Sequence, residues 1–193
     1  MIAGIVLAAG RSRRMGEPKP FLRLNGNTFL ERAVAALRDG GCDGVWVVAH
    51  DADSSVAEAA AVLGARVALN TAPEQIDSLR AGLRALPADA CAAVVMPVDI
   101  PEVDGAAVRA VVDSFLATRA PVMVPARAGK HGHPVLFARA VWAELLDERL
   151  EGGARTVVHA HAADRVEVAV AELAEDVDTP DDLRRLRERI GAG

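Results

Sequence analysis

The sequence predicts an α/β fold in three layers, a mostly parallel sheet with helices on both faces. Short apolar runs alternate with segments of helical period along the whole chain. Runs such as Ile2-Ala3-Gly4-Ile5-Val6-Leu7 and Ala92-Ala93-Val94-Val95-Met96 are apolar at every position, the pattern of strands covered on both sides. The helical segments between them are long enough for right-handed crossovers, which parallel strands require. No linker, repeat or low-complexity tract interrupts the 193 residues, so the reading is one domain, 1–193.

In chain order, strands are expected at 2–8, 44–49, 66–69, 92–96, 121–125, 134–137 and 166–170. Helices are expected at 28–38, 54–63, 73–86, 105–118, 138–150, 154–160 and 180–190. Thr28 can cap the first helix, with Glu31 at the capping-box position, and Gly40-Gly41 ends it. Thr179-Pro180 opens the last helix, where Asp181 and Asp182 suit the positive end of the dipole. The stretch 121–170 is less regular and predicts a strand pair beside the sheet.

Half of the residues (51%) are apolar, enough for a sizeable core, and only 3% are aromatic, so small aliphatic side chains must fill it. A net charge of −5 argues against nucleic acid as the main partner. Cys42 and Cys91 are far apart without metal-type spacing and read as buried, reduced thiols of a cytosolic protein. No apolar run is long enough to span a bilayer, and Met1 leads straight into a strand, so neither a membrane partner nor a signal peptide is expected.

Cationic charge is concentrated where the first strand opens into Leu7-Ala8-Ala9-Gly10-Arg11-Ser12-Arg13-Arg14-Met15-Gly16-Glu17-Pro18-Lys19. Small residues let the backbone approach a ligand, and successive amides can wrap an anion. Arg11, Arg13, Arg14 and Lys19 suit phosphate oxygens, so a triphosphate is the natural guest. The spacing is not that of a Walker A loop, since five residues separate Gly10 from Gly16 and Lys19 precedes Pro20. Nor is it the Gly-x-Gly-x-x-Gly dinucleotide fingerprint. A tight turn with solvated arginines is the plainer alternative. The stretch resembles the Leu-Ala-Ala-Gly-x-Ser-x-Arg-Met-Gly-x-x-Lys signature of nucleotidyltransferases on a Rossmann-like sheet, the nucleotide-diphospho-sugar transferase type. Among them it is most similar to the molybdenum cofactor cytidylyltransferase and guanylyltransferase group, the MobA-like NTP transferases.

Ligands of such sheets bind at the carboxyl ends of the strands, where Asp99 follows a buried run. Its carboxylate can hold a divalent cation, and magnesium suits carboxylate and phosphate oxygens. Alternatively, Asp99 caps the helix that begins near Asp104. The resemblance implies the metal role, because the family carries a Gly-Asp-x-Pro motif here; this chain has Val98 in place of the glycine. Asp176-Val177-Asp178-Thr179-Pro180-Asp181-Asp182-Leu183 is similar to the family's Asp-x-Asp-Thr-Pro-x-Asp-Leu, which implies that Asp178 joins Asp99 at the metal; its alternative is a helix cap.

Gly132-His133-Pro134-Val135-Leu136-Phe137 resembles the segment that lines the acceptor side, implying a substrate contact for His133. Arg155, in Gly152-Gly153-Ala154-Arg155, would reach an acceptor phosphate or else be a solvated helix-start arginine. A zinc reading of His131 and His133 with His159 and His161 lacks a well-placed third ligand. The segment from Asn70 to Gly82 resembles the base-reading region, with Ser78, Leu79 and Gly82 matching Ser-Leu-x-x-Gly and Glu74-Gln75-Ile76-Asp77 departing from it.

The resemblance thus implies nucleotide binding by Leu7, Ala8, Ala9, Gly10, Arg11, Lys19, Asn70, Ser78 and Gly82. Catalysis would rest on Arg14, Lys19 and Asp99, with Mg2+ as cofactor. Leu-Ala-Ala-Gly, rather than Leu-Ala-Gly-Gly, favours CTP over GTP, and the acceptor is an anionic small molecule. A methylerythritol phosphate cytidylyltransferase, a guanylyltransferase of another phosphorylated acceptor, and a nucleotide-binding module without catalysis remain as alternatives.

Overall fold

The computed structural model describes residues 1–10, 15–50, 54–72, 74–170 and 173–191. The elements are β1 (Ile2–Leu7), β2 (Arg23–Leu24), β3 (Asn27–Thr28), α1 (Phe29–Asp39), β4 (Gly44–His50), α2 (Ser54–Val62), β5 (Arg66–Asn70), α3 (Gln75–Ala85) and β6 (Ala92–Pro97). They continue with α4 (Gly105–Thr118), β7 (Val122–Arg127), β8 (Lys130–His131), β9 (Val135–Ala138), α5 (Trp142–Leu146), α6 (Ala154–Ala160), β10 (Val166–Ala169) and α7 (Pro180–Gly191).

Among the described residues the main sheet runs β10-β7-β9-β6-β1-β4-β5, with β8 paired to β7. Strands β4, β5, β6, β7 and β10 run parallel to β1, while β9 is antiparallel to both of its neighbours. The chain therefore builds outward from β1 through β4 to β5, then returns to place β6 on the other side. That reversal opens a crevice at the carboxyl ends of β1 and β6.

Alternate residues of the central strands enter two separate cores. Val6, Val47, Val94 and Met96 pack under α1, α2, α4 and α7, and Ile5, Val48, Ala93 and Val95 pack under α3, α5 and α6. The expected strand pair beside the sheet is instead part of it. Val122, Met123, Leu136 and Phe137 are covered on both faces, which drives β7 and β9 into the same layer. No helix among the described residues is long and apolar enough to cross a membrane.

The first helix begins as the capping box requires. Thr28 Oγ1 accepts from the Glu31 amide at 3.1 Å, and the Glu31 carboxylate accepts from the Thr28 amide at 2.6 Å. At its end, a Cβ on Gly40 would stand 2.2 Å from Val108 Cγ1, so glycine is what lets α4 lie against α1. Gly40→Ala is expected to lower stability by about 1–3 kcal/mol through overpacking, read as a lowered midpoint in urea.

The helix expected at 138–150 stops early. It is a short 3-10 turn at Arg139–Val141 followed by α5, which ends at Leu146 with Asp147 in extended conformation. The buried Arg80 guanidinium of α3 donates to the Leu145 carbonyl at 3.1 Å and the Asp147 carbonyl at 2.6 Å. These terminal carbonyls are thereby satisfied by a side chain, and the chain is free to turn. Cys42 is buried in the core, which pushes its thiol up to about 12, and both cysteines are free thiols.

Candidate active site

The crevice at the ends of β1 and β6 holds three charged side chains in direct contact. Lys19 stands on a short 3-10 turn (Lys19–Phe21) flanked by Pro18 and held by bonds from the Phe21 and Leu22 amides back to Pro18 and Lys19. Its Nζ donates to Asp99 Oδ2 at 2.8 Å and to Asp178 Oδ1 at 2.5 Å. Burial works against the lysine charge, but the hydrogen bonds to Asp178 and Asp99 outweigh it and hold the ammonium above the usual lysine value.

Neither carboxylate takes the helix-cap position that the sequence also allows it. Asp104 caps α4, its Oδ1 accepting from the Ala107 amide at 2.9 Å. For α7 the cap is Thr179, whose Oγ1 accepts from the Asp182 amide at 3.3 Å, while its own amide and hydroxyl donate to Asp182 Oδ2 at 2.7 Å; the Asp178 amide donates to the same oxygen at 3.1 Å. Asp182 thus fixes the turn that aims the Asp178 side chain inward. One residue earlier, the Val177 amide donates to the Asp99 carbonyl at 2.8 Å, and the Val177 side chain is buried. The two acids, 79 positions apart in the sequence, are therefore tied together by main chain.

These groups line a cavity of about 740 Å3 with Ala9, Gly10 and Ser78. A second cavity of about 920 Å3 adjoins it, lined by Ile76, Leu79, Gly152, Gly153, Arg155 and Phe137 among others. Leu7, Gln75 and the segment 131–133 border both. The antiparallel direction of β9 makes this possible, since the residues just before its start lie at the rim where parallel strands end. His133 is thus in the shared wall. Burial lowers its imidazole below the usual value, against the opposing influence of its bond to the Val95 backbone and of Asp99 and Asp176. Burial thus favours the neutral ring, and its Nδ1 is buried without a hydrogen-bond partner among the described residues.

The remaining sequence expectations are divided by the structure. Leu7, Ala9, Gly10, Lys19, Ser78, Asp99 and Asp178 line the smaller cavity, and Arg155 only the larger. Ala8 lines neither: its side chain packs in the core, and its amide donates to the Val48 carbonyl at 2.9 Å. Asn70 lies behind the cavity wall, where Nδ2 donates to Ser78 Oγ and to the Ala72 carbonyl, each at 2.9 Å, and so fixes the serine. Gly82 is a packing residue: a Cβ there would stand 2.9 Å from Ile5 Cγ2. Arg11 and Arg14, like Arg13, lie outside the described residues. Val98 packs in the core while its amide donates to the Leu7 carbonyl at 3.1 Å.

The histidines do not converge on a metal. His131 bonds Glu167 at 2.7 Å and His161 bonds Glu144 at 2.9 Å, and no cluster of three or more metal-ligating side chains occurs among the described residues.

Sequence reasoning passed over Gln75 and Asp176. Gln75 faces both cavities from the first turn of α3, in the segment that departs from the family pattern. Asp176 had a readable signal, since alternation places 176 and 178 on one side and the buried Val177 on the other.

The family model of the MobA-like NTP transferase domain matches residues 4–166. The chain belongs to this family of nucleotidyltransferases. A probable molybdenum cofactor guanylyltransferase of Mycobacterium avium is 30% identical, over 97% of this chain and 95% of that protein. A probable molybdenum cofactor guanylyltransferase of Opitutus terrae is 51% identical over 24% of this chain, a match spanning 23% of the relative's length. Among solved structures, Rv0371c of Mycobacterium tuberculosis has a TM-score of 0.87 at 36% identity, covering 97% of this chain and 98% of that one. The same protein in complex with manganese has a TM-score of 0.81 at 34% identity, with coverage of 97% and 98%.

Proposed function

We propose that this chain is a magnesium-dependent enzyme that transfers CMP from CTP to an anionic, phosphorylated acceptor such as molybdopterin, with release of pyrophosphate. The observation that carries the reading is the convergence of Lys19, Asp99 and Asp178 on one point, in a cavity that opens onto a second across His133. Two carboxylates around one cationic atom are a donor set suited to a divalent ion. With no further protein ligand among the described residues, phosphate oxygens and water would complete the shell, as magnesium prefers. A manganese complex of a relative supports a divalent cation in this fold.

Bound there, the metal supplies charge neutralisation for the phosphates. Asp99 and Asp178 hold it, and Lys19 and the Ala9 and Gly10 backbone face the triphosphate. His133, neutral and in the shared wall, orients the incoming acceptor. An acceptor phosphate oxygen forms a bond to the α phosphorus in line. The bond from that phosphorus to the bridging oxygen breaks, and pyrophosphate leaves with the electron pair. No protein nucleophile is needed.

The cytidine preference rests on Ala9 before Gly10, with Ser78 held rigid by Asn70 beside the expected base pocket. A second reading, GMP from GTP, is favoured by the similarity to the probable molybdenum cofactor guanylyltransferase of Mycobacterium avium. Calorimetric titration with magnesium and each nucleotide, followed by pyrophosphate release with molybdopterin, separates them. Tighter binding of CTP, with release above background, is the expected result. Preference for GTP moves the chain to the guanylyl reading, and binding without release under every pairing reduces it to a nucleotide-binding module.

A further inference from the structure

The Lys19 ammonium sits between the two carboxylates at hydrogen-bond distance from each, 2.8 Å to Asp99 and 2.5 Å to Asp178. That is the point a shared cation would have to occupy. We propose that Lys19 is an internal stand-in for the metal. Its ammonium and a divalent cation compete for the same two carboxylates, and the triphosphate settles the competition by drawing the lysine away. This rests on the reading of Asp99 and Asp178 as the metal-holding pair.

Three features of the chain make the exchange workable. The backbone at Lys19 is fixed, between Pro18 and Pro20 and inside a hydrogen-bonded turn, so the lysine cannot leave by moving its main chain. Its side chain is flexible, and Ala9 and Gly10 line the same cavity, offering a phosphate position within the reach of the same stem. The carboxylates, by contrast, are fixed. Val177 bonds the Asp99 carbonyl, and Asp182 fixes the turn at Asp178, so the pair holds its spacing after the lysine departs.

The consequence is ordered loading: the cation binds poorly alone and well once a triphosphate has taken the ammonium. Apparent affinity falls in proportion to the fraction of protein whose site is open. If Lys19 occupies the pair nine-tenths of the time or more, its removal should tighten metal binding by at least about tenfold.

The test is a titration with Mn2+ alone, with free Mn2+ followed by its electron paramagnetic resonance signal, in wild type, Lys19→Met, Lys19→Gln and Asp99→Asn. Both lysine variants should bind Mn2+ about tenfold or more tightly than wild type, and wild type should approach them when CTP or GTP is added. Asp99→Asn should lose binding with and without nucleotide. Equal or weaker Mn2+ binding by both lysine variants, with Asp99→Asn still deficient, overturns the competition while leaving the metal pair in place. If Asp99→Asn binds Mn2+ as wild type does, the metal pair itself is misassigned and the competition falls with it.

Discussion

Asp99→Asn is expected to lower magnesium-dependent turnover by roughly 10²–10³-fold or more, the scale seen when charge stabilisation of a transition state is removed. The side chain is partly exposed at the cavity, caps no helix, and is replaced by a near-isostere, so core packing is untouched. Its carbonyl bond to Val177 belongs to the backbone and survives the substitution. Wild-type melting temperature with lost turnover would place the defect in chemistry. Wild-type turnover would mean that the metal is held elsewhere. Asp178→Asn should show a comparable loss if it is a direct ligand and a smaller one if it acts through water.

Arg80→Met should have the largest effect on stability, at a residue with no role in the chemistry. The guanidinium is buried, pairs with Asp77 at 3.0 Å, and satisfies the Leu145 and Asp147 carbonyls. Methionine keeps the apolar stem and leaves buried acceptors without donors, at a cost of about 2–4 kcal/mol. For a domain of this size that is a fall in melting temperature of roughly 5–15 °C by calorimetry. Arg80→Lys should recover little, because a single ammonium cannot reach two carbonyls and a carboxylate in the fork geometry. An unchanged melting temperature would show that these carbonyls find water instead. The same rivet joins α3, which faces both cavities, to the segment that leads to Arg155, so the variant should also weaken acceptor use.

How far the sequence could be read depended on whether a residue's surroundings are local. The continuous apolar strands and the Thr28–Glu31 capping box needed only neighbours in the chain, and they are found as expected. The two-residue strands β2, β3 and β8 carry no period and could not be read. The early end of α5 depends on Arg80, more than sixty residues away in sequence. Motif and rim position single out Lys19 and Asp99, and motif alone singles out Asp178, but their mutual contact is a product of folding. Ser-Leu-x-x-Gly cannot tell a glycine that makes room for a base from one that makes room for Ile5, and at Gly82 the room is for Ile5. Likewise, nothing in Leu-Ala-Ala-Gly reveals that the Ala8 amide is already used by the sheet.

The bond from the Val177 amide to the Asp99 carbonyl has a bearing on how this site tolerates change over generations. A spacing set by two side chains is lost when either one drifts. A spacing set by an amide and a carbonyl is supplied by nineteen of the twenty residue types. Position 177 can therefore wander among apolar side chains that fill its buried slot while the distance between Asp99 and Asp178 is inherited unchanged. Proline alone, which lacks the amide hydrogen, would break it.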